Sequence, residues 1–130
     1  MCSSDLVNLA SLPVVVGSGD QLRQVMSNLV VNARDSMPHG GTLRIRTRHI
    51  PSSDGVHGFI RISVVDSGSG IPKEILPTIF EPFVSTKGEK GTGLGLWIVK
   101  GIIENHGGKL RVHSKPDVGT VFKIELPVVR

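Results

Sequence analysis

Aromatic residues and cysteines are scarce in this sequence. Its 130 residues include four Phe, one Trp and no Tyr, which is a poor supply of the aromatic platforms on which proteins stack single-stranded nucleic acid. The single cysteine, Cys2, excludes an internal disulfide framework and is typical of a reducing compartment. No apolar run approaches the length of a membrane-spanning helix, and residues 1–12 lack the basic start of a signal peptide. We therefore expect neither a spanning segment nor a signal peptide.

Positive charge exceeds negative charge, with 15 Lys and Arg against 11 Asp and Glu and a formal net charge of +4. Such a balance raises nucleic acid or acidic lipid as partners. The alternation of the predicted strands, however, places seven of these cations on the outward side of one sheet: Arg44, Arg46, Arg48, Arg61, Lys109, Arg111 and Lys123. We interpret this as an open sheet face that is solvated or docks a partner, and we expect no nucleic-acid or membrane contact.

The spacing of apolar residues predicts the order of the elements. Periods of two and of three to four residues alternate along the chain, separated by Gly, Pro and Asp. They predict a strand at 12–16, a helix from the N-cap Asp20 to Pro38, a hairpin of 42–49 and 59–65, a short helix opened by Pro72, a loop at 81–93, a helix over Leu94–Asn105 and a hairpin of 109–114 and 120–126. This order predicts a two-layer α+β sandwich, with helices on one face of a mixed, mostly antiparallel sheet.

Glycine is abundant: 16 of the 130 residues are glycine, which is about 12% against an average of roughly 7% in proteins. Two clusters stand out, 66–70 with the letters DSGSG and 91–96 with GTGLGL. Glycine-rich segments beside regular elements often cradle phosphates with backbone amides, although each cluster alone is equally consistent with a plain turn. Neither cluster forms a P-loop or a dinucleotide-binding fingerprint, because the required residues are absent.

Three polar residues share one face of the first predicted helix. Asn28, Asn32 and Asp35 are spaced four and three apart, and such residues are neighbours on a helix surface. Asn is unfavourable inside a helix. A single Asn there would be interpreted as a solvated position, but two Asn and an Asp on one face, in the same short chain as both glycine clusters, favour a metal and phosphate site.

Four motifs in order carry a resemblance to a known family. They are 28–36 (NLVVNARDS), 66–70, 79–83 (IFEPF) and 91–96, supported by 119–122 and by Leu126-Pro127. Over residues 12–127 the chain resembles the ATP-binding catalytic domain of sensor histidine kinases, in the GHKL superfamily with the gyrase-type ATPases. The resemblance implies the Bergerat fold as one domain over 1–130, ATP and Mg²⁺ as cofactors, and a cytoplasmic location.

The resemblance also implies roles for individual residues. It assigns Mg²⁺ to Asn32 and Asn28, the adenine amino group to Asp66, and a lid over the nucleotide to residues 72–91. Lys87 is the candidate contact to the γ-phosphate, with a solvated lid lysine as the alternative. The implied catalytic residues are thus Asn28, Asn32 and Lys87, and the implied nucleotide-binding residues are Asn28, Asn32, Asp35, Asp66, Gly68, Gly70, Ile71, Thr86, Lys87, Gly91, Thr92, Gly93, Leu94, Gly95, Leu96 and Thr120.

Position 28 and the histidines define the expected reaction. ATPases and serine kinases of the superfamily typically carry a glutamate base where this chain has Asn28, and an amide cannot take a proton. We therefore expect γ-phosphoryl transfer to a histidine rather than hydrolysis. None of the five histidines has the adjacent acidic residue of a phosphoacceptor motif. The expected partner is a phosphoacceptor hairpin on a separate or upstream domain, with a response regulator reached indirectly, so we do not expect the chain to phosphorylate itself alone.

Three alternatives remain open from the sequence. The first is a regulatory nucleotide-binding module of the pseudokinase type, and the second is an ATPase or serine kinase on the same fold. The third is a nucleic-acid binder, for which only the positive charge argues.

Overall fold

A computed structural model describes residues 18–52, 58–82 and 95–128. In that part of the chain, two helices, a short 3-10 turn at Leu76–Thr78 and four strands follow one another. They are α1 (Gly19–Asp35), β1 (Leu43–Pro51), β2 (Gly58–Asp66), α2 (Gly95–Asn105), β3 (Lys109–Lys115) and β4 (Gly119–Pro127). The predicted strand at 12–16 and most of the predicted loop at 81–93 lie outside the described residues.

The four strands form one sheet in the order β1-β2-β4-β3. Each neighbouring pair is antiparallel, and the register aligns Ile45 with Val64, Val64 with Phe122 and Phe122 with Val112. Both predicted hairpins are therefore present, joined through the central β2–β4 pair. The prediction of a mostly antiparallel α+β sheet is confirmed, and every described strand pair is antiparallel.

The core lies between the two helices and the inner face of this sheet. Helix α1 contributes Val25, Leu29 and Ala33, and these side chains are buried as their spacing of three and four predicts. Phe122 of β4 is also fully buried, and the ring of Phe80 meets it edge to face at 6.4 Å. Neither described helix has the length and apolarity to cross a bilayer.

The start of α1 differs from the prediction, which placed the N-cap at Asp20. Ser18 is the N-cap: its backbone is extended, and its hydroxyl oxygen accepts a hydrogen bond from the amide of Gln21 at 3.2 Å. Asp20 lies in the first turn instead, where a carboxylate interacts favourably with the helix dipole, and pairs with Arg23 at 3.1 Å. A serine two residues upstream reaches the exposed amides of the first turn, so the cap falls there.

The segment after Pro72 also differs from the prediction of a short helix. The carbonyl of Pro72 accepts hydrogen bonds from the amides of Ile75 and Leu76, both at 3.0 Å. From Pro72 to residue 82, where this described range ends, the regular structure is the three-residue 3-10 turn, which contains a second proline, Pro77. Proline lacks an amide hydrogen, so a longer helix across this position would lose a hydrogen bond.

His106 joins the end of α2 to the beginning of α1. Its Nδ1 lies 2.8 Å from the carbonyl of Ile102, and its Nε2 accepts a hydrogen bond from the amide of Ser18 at 3.0 Å. His106 lies directly after the last residue of α2. The contact therefore joins the N-terminal end of α1 to the C-terminal end of α2.

Candidate functional site

A buried carboxylate lies at the end of β2. Asp66 is 5% exposed. Its Oδ1 accepts hydrogen bonds from the amide of Gly68 at 2.9 Å and from the hydroxyl of Ser36 at 3.3 Å, and the backbone of Thr120 donates a third. Burial raises the pKa of Asp66 above its ordinary 3.8, while these three hydrogen bonds oppose the rise. The site therefore holds a desolvated acceptor that three donors orient.

Two glycines allow the chain to pass close to this carboxylate. Gly119 has φ of +149°, and a Cβ there would overlap the backbone oxygen of Asp66. A Cβ on Gly68 would overlap Ser36, including the Ser36 backbone oxygen at 2.6 Å. Glycine is thus required on both sides of Asp66, because any side chain would displace the backbone that carries it.

A second hydrogen-bond network fixes the loop that follows the first glycine cluster. The hydroxyl of Ser114 accepts from the amide of Ile71 at 2.7 Å and lies 2.9 Å from the hydroxyl of Thr120. Thr120 is 4% exposed and Ile71 8%. Gly70 has φ of +74°, and a Cβ there would overlap the carbonyl of Lys115. Strands β3 and β4 therefore hold Ile71 and Thr120 beside the end of β2.

The polar face of α1 lies at the other end of the candidate site. The amide nitrogen of Asn28 donates to the carbonyl of Gly95, the first residue of α2, at 3.4 Å. Asn32 is half-buried, and Asp35 lies near the end of the helix, 3.5 Å from the guanidinium of Arg34. The same helix thus carries the predicted amides, and its C-cap residue, Ser36, contacts Asp66. Eight residues separate Asn28 from Ser36, which is about 12 Å along a helix axis.

The predicted site residues divide between described and undescribed parts of the chain. Gly95 and Leu96 are the first two residues of α2, and both are half-buried. Within 18–52, 58–82 and 95–128, no three His, Cys, Asp or Glu side chains cluster as metal ligands. Outside the described residues lie Thr86, Lys87, Gly91, Thr92, Gly93 and Leu94.

Three residues that support the site were not predicted from the sequence as site residues: Ser36, Ser114 and Gly119. Ser36 directly follows the polar face of α1, so its place after Asp35 was the available signal. Ser114 is a polar residue at an inward position of an alternating strand, which indicates a partner on the core side. Gly119 precedes Thr120 and opens β4, where a glycine marks a close backbone approach.

Comparison with known proteins agrees with this arrangement. The family model described as histidine kinase-, DNA gyrase B-, and HSP90-like ATPase matches residues 17–130. The chain therefore belongs to this family. Across the described residues, two helices pack on a four-stranded antiparallel sheet, and this is the α+β fold of histidine kinase catalytic domains.

Sensor histidine kinases are among the similar proteins. The chain is 47% identical over 117 residues to the sensor kinase CckA of Brucella abortus, which covers 82% of this chain but only 12% of that relative. The nucleotide-free catalytic domain of histidine kinase ThkA superposes with a TM-score of 0.76 at 35% identity, over 98% of this chain and 76% of that one. Full-length ShkA in complex with AMPPNP superposes with a TM-score of 0.74 at 32% identity, over 90% of this chain and 23% of ShkA.

Proposed function

We propose that this domain binds Mg-ATP in the cytoplasm and transfers the γ-phosphoryl group to a histidine of a phosphoacceptor domain. The observation that carries the proposal is the state of Asp66. An ionised carboxylate offers about four acceptor positions, and three are occupied in this structure: two by the amides of Gly68 and Thr120, and one by the hydroxyl of Ser36, which shares its hydrogen with the carbonyl of Ala33 at 2.8 Å. The remaining position accepts the exocyclic amino group of adenine, in a site too buried for water to compete freely.

This arrangement selects adenine over guanine. Guanine presents a carbonyl where adenine presents its amino group, so the lone pairs of the base and of Asp66 would oppose each other. An unsatisfied buried acceptor costs about 1–3 kcal/mol, and we expect ATP to bind more tightly than GTP by that amount. The hydroxyl of Thr120, which Ser114 holds at 2.9 Å, lies on the neighbouring strand as a second polar contact to the base.

The polar face of α1 suits a magnesium ion. Mg²⁺ prefers hard oxygen ligands and completes its octahedron with phosphates and waters. Asn28 donates through its nitrogen to Gly95, so its amide oxygen is the atom that remains to act as a ligand beside that of Asn32. Bound there, the ion would neutralise charge on the phosphates. The amides of Gly91 to Gly95, which precede and open α2 along the sequence, and the ammonium of Lys87 would complete the proposed phosphate contacts.

Transfer to histidine fits the residues of this chain better than hydrolysis. The amide of Asn28 has no basic form that could deprotonate a water molecule. In the proposed reaction, an imidazole nitrogen of the phosphoacceptor attacks the γ-phosphorus, the bond to the leaving oxygen of ADP breaks, and the partner domain accepts the imidazole proton. The contribution of this chain is to position the nucleotide and to stabilise charge. The similar proteins named sensor histidine kinases support this proposal, as does the AMPPNP complex of ShkA.

Phosphotransfer from labelled ATP tests the proposal. The chain is mixed with a two-helix phosphoacceptor hairpin from each of several similar sensor kinases, and acid-labile label on the hairpin is measured. We expect label on a hairpin only when the chain is present, none on the chain alone, and none when the acceptor histidine is replaced by alanine. ATP binding without transfer to any hairpin would favour a regulatory module. Phosphate release without a hairpin would favour an ATPase.

A further inference from the structure

The face of the sheet turned away from the helices is strongly positive. The outward positions of β1 to β4, here called the outer sheet face, include eight Lys and Arg residues and one carboxylate, Glu125. The net charge of the whole chain is only +4, so the rest of the chain is net negative and the positive charge is concentrated here. The cations are Arg44, Arg46, Arg48, Arg61, Lys109, Arg111, Lys115 and Lys123.

The single carboxylate of this face is engaged by its own neighbours. Glu125 is 8% exposed. Its Oε2 lies 3.1 Å from the guanidinium of Arg61, and its Oε1 lies 3.8 Å from Nε of Arg111. A buried and paired carboxylate repels an approaching anion far less than an exposed one does. The outer sheet face therefore presents a positive field to any partner.

One end of the outer sheet face contains an apolar cavity of about 480 Å³. Its lining includes Val65, Val118 and Val121 and the cations Arg44 and Lys115, together with four residues of the candidate nucleotide site and its supports: Asp66, Ser114, Gly119 and Thr120. Val118 is 59% exposed, a high value for a large apolar side chain. Successive strand residues point to opposite faces, so Val65 and Val121 face away from the neighbouring Asp66 and Thr120 of the candidate nucleotide site. Val65, Val121 and Arg44 thus open the cavity to the outer side of the sheet, and because Asp66 and Thr120 also line it, the cavity adjoins the candidate nucleotide site.

We propose that the outer sheet face docks an acidic segment of a partner protein that inserts an apolar side chain into this cavity. Carboxylates flanking the apolar side chain would pair with the cations around the cavity, which is the complementarity that speeds association and selects partners. The concave shape distinguishes this partner from a membrane, because a peripheral surface enters a bilayer with protruding apolar side chains. The valine lining distinguishes it from nucleic acid, whose bases stack on aromatic rings.

Binding of a model peptide tests the charge component. The probe is a fluorescein-labelled peptide of alternating Glu and Leu, and its affinity is measured by fluorescence anisotropy at low salt. We expect the double variant Lys115→Glu/Lys123→Glu to bind about tenfold more weakly or worse. The matched control Arg23→Glu/Lys100→Glu changes the net charge equally but on exposed helix positions, and we expect its affinity to change less than about twofold. Equal losses in the two variants would overturn the proposal.

A second pair of variants tests the cavity. Val118→Ser should weaken binding of the Glu/Leu peptide about fivefold and leave the affinity for polyglutamate unchanged. The control Val31→Ser, at an exposed position of α1, should leave both affinities unchanged. Thermal unfolding verifies that each variant is folded. If Val118→Ser has no effect, the proposed use of the cavity is wrong. If phosphatidylserine vesicles or duplex DNA displace the peptide at lower concentration than a second acidic peptide does, the proposal is also wrong, and the outer sheet face binds a lipid or a nucleic acid instead.

Discussion

Replacement of Gly119 by alanine tests how the carboxylate of the candidate site is held. The new methyl group would overlap the backbone oxygen of Asp66 and approach Cα of Ser67 at 3.2 Å, and the backbone φ of +149° is one that side chains rarely adopt. Backbone strain of this kind costs about 1–3 kcal/mol, and overpacking costs about as much again. We expect Gly119→Ala to lower the free energy of unfolding by about 2–6 kcal/mol, a large share of the roughly 5–15 kcal/mol typical of a domain. Urea denaturation followed by circular dichroism measures it.

The matched control for this substitution is Gly101→Ala. Gly101 lies within α2, and apart from its chain neighbours and the backbone of its own helix, no atom lies within 4 Å of where a Cβ would be. Alanine stabilises a helix interior by about 0.5–1 kcal/mol relative to glycine, so this variant should be more stable than the parent. If Gly119→Ala lost less than about 0.5 kcal/mol, the close approach of β4 to Asp66 would be refuted, and with it the requirement for glycine there.

Three further predictions concern buried polar groups. Ser114→Ala removes the acceptor for the amide of Ile71 and should cost about 1–3 kcal/mol in urea denaturation; no loss would mean that another acceptor is present. Burial raises the pKa of Asp66 above 3.8, so the protonated side chain favours the folded state. This stabilisation is complete below pH 3.8 and is lost as the pH rises through the raised pKa. Asp66→Asn should therefore gain stability relative to the parent from acidic to neutral pH, and a constant difference would contradict this. Arg61→Met leaves the buried Glu125 with the longer 3.8 Å contact to Arg111 and should cost about 2 kcal/mol, most of it recovered with Glu125→Gln; additive losses would disprove the coupling.

Most of the fold was predictable because it depends on periodicity. The apolar spacing of Val25, Leu29 and Ala33 identifies one helix face, and the alternation in β1 and β2 identifies the two faces of the sheet. One error falls at an element end, where a single hydrogen bond decides the outcome, and the other is the short helix expected after Pro72, which Pro77 limits to a 3-10 turn. Ser18 rather than Asp20 caps α1 because its hydroxyl reaches the amide of Gln21.

The candidate site was predictable only in part. Asp66, Gly68 and Gly70 carry a motif along the chain, but the hydroxyls that orient them come from distant positions. Ser36 lies 30 residues from Asp66, and Ser114 lies 43 residues from Ile71. Such pairs are set by the packing of α1 on the sheet and by the β3–β4 register, which no local pattern records.

Isothermal titration calorimetry with ATP most directly tests the central claim that Asp66 recognises adenine. We predict saturable ATP binding, GTP binding weaker by about 1–3 kcal/mol, and a loss of at least that size for ATP in Asp66→Asn, which keeps the fold by circular dichroism. The reason is that the asparagine amide cannot offer an ionised acceptor to the base. Unchanged ATP affinity in folded Asp66→Asn, or equal affinity for ATP and GTP, would contradict the account.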